Sequence, residues 1–110
     1  MIISIDRFLG KRATRQYNCA DFSAEVLEYL TGKPARYLVE DWSIQSRSRL
    51  QRLLEPDNPC IIIMYHRRIT PHVGIYVRGK VLHLTNVGVE YQPVDVATRG
   101  FRNYRFYKPK

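Results

Sequence analysis

Cysteine is scarce in this chain. Two thiols, Cys19 and Cys60, and three histidines are spread over 110 residues. Two cysteines cannot build the multi-bridge framework of a disulfide-held domain, and neither they nor the histidines fall at the spacing of a zinc motif. No metal and no cofactor are therefore expected. Long apolar runs are lacking too: nothing approaches the ~20 consecutive residues that a membrane-spanning helix needs, so no membrane span is expected. Met1-Ile2-Ile3-Ser4-Ile5 meets Asp6-Arg7 at once and is too short for the apolar segment of a signal peptide. Acidic residues are the third shortage. Ten Asp and Glu stand against 18 Lys and Arg, for a net charge of +8. Such a balance suits nucleic acid, anionic lipid or an acidic polymer such as a cell wall. The basic residues Arg12, Arg15, Arg47, Arg49, Arg52, Arg67, Arg68 and the tail are dispersed, however, and charge alone selects none of these.

What is present is the composition of a globular domain, 45% hydrophobic and 25% charged, of a length that fits a single domain spanning residues 1–110. Its organising stretch runs from Tyr17 to Gly32. Asn18 is an N-cap, Asp21 completes a capping box, and Gly32 followed by Pro34 ends the helix. Cys19, Phe22, Ser23, Val26, Leu27 and Leu30 recur at the spacing of one buried helical face. A thiol at the first helical position meets unpaired N–H groups and the positive end of the helix dipole, both of which favour thiolate. The plain alternative is a small apolar residue on the packed face.

Around this helix the pattern predicts a helical turn near Ile5 to Leu9 and a basic loop from Lys11 to Arg15. Tyr37, Leu38 and Trp42 are expected to anchor an irregular segment. A second helix is expected from Ser43 or Ser46 to near Glu55, with Leu50, Leu53 and Leu54 on its packed face. From residue 60 the period becomes extended. Cys60 to Tyr65 reads as a central strand covered on both faces, with Cys60 in the core. Strands follow at Val73 to Val77, Val81 to Thr85, Val87 to Val94 and Phe101 to Tyr107. Helices first and then turn-linked strands predict an α+β arrangement, with the cysteine helix packed on an antiparallel sheet of about five strands.

A hairpin turned at Arg78-Gly79-Lys80 brings His72 and His83 near one another. A lone strand histidine is most simply a satisfied, half-buried residue. Two facing histidines and a cysteine at a helix start form a candidate nucleophile–base set.

At these residues the sequence resembles the NlpC-type cysteine peptidases, papain-like hydrolases of the cell wall. Asn18-Cys19-Ala20-Asp21-Phe22 is similar to their nucleophile motif. His72-Val73-Gly74-Ile75-Tyr76 is similar to their histidine strand, and His83 stands where a third polar residue belongs. The likeness spans roughly residues 8–95, in the order cysteine, histidine, polar residue. Phe8 stands where such enzymes commonly have a tyrosine, and Asp57-Asn58-Pro59 where they have Gly-Asp. The resemblance implies a papain-like NlpC-type α+β fold and a cysteine peptidase or amidase. Cys19 is then the nucleophile, His72 the base and acid, and His83 the group orienting His72. The backbone N–H of Cys19 meets the oxyanion, with Tyr17 and Asp21 as nearby candidates for oxyanion or substrate contacts. Peptidoglycan peptides are the implied substrate. A small chain of this kind is also similar to domains carried in bacteriophage tails, which implies tail proteins as partners and the virion, or the host cytoplasm before assembly, as its place.

Two other readings remain open. One is a structural or assembly protein of a phage tail that keeps the fold without the chemistry. The other is a nucleic-acid binder, from the alternating aromatic and basic residues between Arg99 and Lys110. An edge strand with a basic outer face accounts for that alternation equally well, so nucleic acid is not the expected partner.

Overall fold

The computed structural model describes residues 5–14, 16–39, 49–67 and 70–110. Arg15, Trp42, Arg47 and Arg68, and the expected helix start at Ser43 or Ser46, lie outside them. The described chain opens with a 3₁₀ turn, Asp6–Phe8, and continues into the helix α1, Cys19–Thr31. After a second 3₁₀ turn, Arg36–Leu38, come β1 (Leu50–Leu53), β2 (Cys60–Tyr65), β3 (His72–Val77), β4 (Lys80–Thr85) and β5 (Gly88–Pro93). A single helical turn, α2 (Val94–Ala97), leads to β6 (Asn103–Pro109).

α1 follows the local chemistry of its ends. Asn18 Oδ1 accepts the N–H groups of Ala20 and Asp21, while Asp21 accepts the N–H of Asn18, a complete capping box. At the other end Gly32 takes a left-handed φ of 71° and returns its N–H to the Glu28 carbonyl.

The strands form one six-stranded sheet in the order β1-β6-β2-β3-β4-β5, every pair antiparallel. β2 is central and buried from Cys60 to Met64. Its alternate residues serve two cores. Ile61 and Ile63 join Phe22, Val26, Val73 and Ile75 beneath α1. Ile62 and Met64 join Val81 and Ala97 on the opposite face, closed by Phe101 and Phe106. β3 and β4 meet at a two-residue turn in which Arg78 (φ 55°) and Gly79 (φ 82°) are both left-handed, as a right-twisted hairpin requires. Asn58 Oδ1 accepts the Arg78 N–H at 2.9 Å and steadies the non-glycine member of that turn.

This architecture corrects the expected one. The protein is a small, mostly-sheet domain in which α1 alone, among the described residues, is a helix of more than a single turn. It is not the helix-rich, papain-like NlpC-type α+β fold, and the sheet has six strands rather than about five. The second expected helix fails where it can be seen: Leu50–Leu53 is a strand whose residues pair from Leu50↔Pro109 to Leu53↔Phe106. Leucines at 50, 53 and 54 fit a helical face, but the open edge of β6 supplies backbone partners that periodicity does not reveal, and Leu54 is left 92% exposed. β6, read as an edge strand, is interior between β1 and β2.

Candidate functional site

Cys19 stands at the first position of α1, where the helix meets the start of β3. Ser23 Oγ, one turn on, donates to the Val73 carbonyl at 3.3 Å and ties the two elements together. The cap occupies the N–H groups of Ala20 and Asp21 and not that of Cys19.

His72 and His83 are brought together by register and by one missing side chain. Ile75 pairs with Leu82, so Gly74 lies opposite His83. A Cβ on Gly74 would stand 2.9 Å from the His83 Cβ and 3.0 Å from Val81 Cγ1. Its absence lets His83 lean across β3 toward His72, the diagonal neighbour on the same face. The rings meet with Nε2 of His72 2.9 Å from Nδ1 of His83. Nε2 of His83 in turn lies 2.8 Å from Gln92 Oε1 on β5. Phe101 stacks on His72 at 5.8 Å and 15°, and His66 also packs against Phe101, at 4.2 Å.

These groups share one cleft of about 570 Å³, whose walls include Asn18, Cys19, His66, His72, His83 and Phe101. The resting charges follow from burial. Burial pushes the Cys19 thiol above its ordinary value; the backbone hydrogen bonds from Val73, Ala20 and Cys19 offset part of this, and the Asp21 carboxylate adds to it. Burial, then repulsion from His83 and His66, pushes His72 down to about 4. Burial lowers His83 as well, against the hydrogen bond to Gln92 and the carboxylate of Glu90. The site therefore rests as neutral thiol and neutral imidazoles. The helix terminus alone had suggested a thiolate; the desolvation of a partly buried sulfur outweighs it.

Of the five residues singled out from sequence, Cys19, His72 and His83 line the cleft, and Tyr17 and Asp21 are not among its walls. Tyr17 donates its hydroxyl to Glu25 at 2.6 Å, and Lys11 reaches the same carboxylate at 3.0 Å, so Tyr17 pins the loop to the helix. Asp21 is held by the capping box. Phe8 is buried edge-on against Phe22 at 5.9 Å, within the core. Cys60, 1% exposed, has its thiol pushed up to about 12 by burial.

Sequence reasoning passed over Gln92, Phe101 and His66. Gln92 was detectable in principle: a tight turn at Asn86-Val87 sets His83 opposite Glu90 and Gln92 one diagonal step away. Among the described residues, no group of three or more His, Cys, Asp or Glu side chains is placed to hold a metal ion, and no helix is long and apolar enough to cross a membrane. Comparison with protein-family models, curated proteins and solved structures found no match for the chain.

Proposed function

We propose that the protein is a cysteine hydrolase that cleaves amide bonds in peptidoglycan peptides. The observation that supports this reading above all others is the meeting of Cys19 and the His72–His83 pair in one cleft. His72 is committed through Nε2 to His83, which leaves Nδ1 to take the proton of the Cys19 thiol. The sulfur then attacks the amide carbonyl carbon. The developing oxyanion is met by the Cys19 N–H, and the departing amine takes the proton back from His72. Water, deprotonated by the same nitrogen, hydrolyses the thioester and restores the thiol. Because both partners rest neutral, His72 acts as a general base during attack rather than as half of a standing ion pair.

The substrate class rests on the motif likeness of residues 18–22 and 72–76 to NlpC-type peptidases, not on the architecture, and on a charge of +8 that suits an acidic wall polymer. Carriage in a phage tail, with tail proteins as partners, extends the same likeness. The test is muropeptide analysis of purified cell walls treated with wild type and with Cys19→Ala. New peptide fragments with wild type alone support the reading, and identical profiles overturn it.

One observation favours a second reading, a phage-tail structural or assembly protein without catalysis. Burial raises the thiol instead of lowering it, and Asp21 adds a like charge nearby. That reading prevails if walls stay intact and particles carrying Cys19→Ala infect as wild type does.

A further inference from the structure

His72, His83 and Gln92 lie on three successive strands, each diagonal to the next, and form one unbroken line of hydrogen bonds. The far end of that line has only one polarity. Gln92 presents its carbonyl oxygen, which accepts and cannot donate. The Nε2 of His83 must therefore carry the proton. A neutral His83 then has a bare Nδ1, which can only accept, so the proton in the 2.9 Å contact belongs to Nε2 of His72. A neutral His72 is left with a bare Nδ1.

From this we infer that Gln92 is the positioning residue that fixes the proton arrangement of both imidazoles, so that His72 presents a free lone pair and not an N–H at Nδ1. Gln92 is not itself one of the residues lining the cleft; it acts through His83. The inference rests on the hydrolase reading, because a lone pair at Nδ1 matters for taking the thiol proton. Reversing the amide of Gln92 would reverse every bond in the line and place a proton on that nitrogen. An uncommitted neutral histidine exchanges its two tautomers freely, so a base that must be ready needs such an anchor. The charged or titratable neighbours of the line are Glu90, opposite His83 on β5, and His66, which acts on His72 from beyond β2.

The test reads tautomers directly. Ring-nitrogen NMR of wild-type protein near pH 7 should show His72 and His83 both protonated at Nε2 and bare at Nδ1. Gln92→Leu should mix the tautomers of both rings and slow iodoacetamide alkylation of Cys19 about tenfold or more, as loss of a general base does. Gln92→Glu keeps an acceptor and adds charge. It should retain the Nε2–H pattern, raise the titration midpoint of His72 and carry Cys19 alkylation to lower pH. Far-UV circular dichroism matching wild type certifies each variant as folded, and if Gln92→Leu fails this, Gln92→Met takes its place. A proton on Nδ1 of either ring in wild type overturns the inference, as does a Leu or Met variant unchanged in both tautomer and alkylation rate. Muropeptide release separates the two claims. The expected tautomers with no wall cleavage overturn the hydrolase reading alone, whereas wall cleavage with an indifferent Gln92→Leu overturns the Gln92 inference alone.

Discussion

Acid should weaken this protein through His72 over a defined range. Burial, with His83 and His66 nearby, holds the folded ring down to about 4, whereas an unfolded chain titrates it near 6.5. Between those values the unfolded state binds a proton that the native state refuses. Stability from this group is thus complete above about pH 6.5, falls as pH falls, and stops falling below about pH 4. Each pH unit between the two values is worth about 1.4 kcal/mol, so the loss across the window reaches about 3 kcal/mol, a large fraction of the margin of a small domain. His83, lowered by its own burial, acts in the same direction. Glu25 and Glu28 also titrate below their ordinary range, so a comparison must remove them. Urea unfolding followed by far-UV circular dichroism, at steps from pH 7 to pH 4, should be run on wild type and on His72→Gln. The expected result is a wild-type curve that falls more steeply, by up to about 3 kcal/mol at the acid end. Parallel curves would refute the reasoning, because they would mean that the buried ring is charged in the native state.

Four shorter expectations follow. Brief iodoacetamide treatment of native protein should modify Cys19 and spare Cys60, which mass spectrometry of the peptides reads, since Cys60 is 1% exposed; equal labelling would contradict the assignment of the cleft. His72→Ala should slow that labelling of Cys19 while leaving Cys60 protected. Gly74→Ala places a methyl 2.9 Å from the His83 Cβ and 3.2 Å from the Leu82 carbonyl, so it should cost about 1–3 kcal/mol in urea unfolding and break the contact between the two rings. Asn18→Ala frees the Ala20 and Asp21 N–H groups and should cost about 1 kcal/mol, measured the same way.

What the sequence made legible was local. Asn18, Asp21 and Gly32 announce both ends of α1 through side-chain chemistry that needs no distant partner, and Arg78-Gly79 announces the hairpin in the same way. Cys60 to Tyr65 declares a buried central strand because a run apolar at every position has both faces covered. The failures are all non-local. Leu50–Leu53 has a helical spacing and becomes a strand because β6, more than fifty residues away, offers an edge to pair with. Phe101 was read as the start of a strand; the strand begins at Asn103, and Phe101 instead turns onto His72. Of the two open readings of Cys19, the helix start that favours thiolate is visible in sequence, and the burial of the sulfur that opposes it is not.

The architecture and the site make different demands, and this explains how the expected fold can fail while Cys19, His72 and His83 still line one cleft. Thiol–imidazole chemistry needs a helix start against the first residue of a strand, and a neighbouring strand with room to lean over it. α1, β3 and β4 supply these with the cap at Asn18 and the gap at Gly74. The remaining strands complete the site from its far side. β5 brings Gln92 to the end of the imidazole line. β6 lies against β2, and the Arg102 N–H donates to the Tyr65 carbonyl at 2.8 Å just before it. Phe101, the residue before Arg102, contacts both His66 and His72. The basic C-terminal strand thereby acquires a role that its alternation of aromatic and charged residues does not suggest. It is an interior strand of the sheet, and the chain leading into it stacks Phe101 on the ring of His72, whose burial holds it neutral.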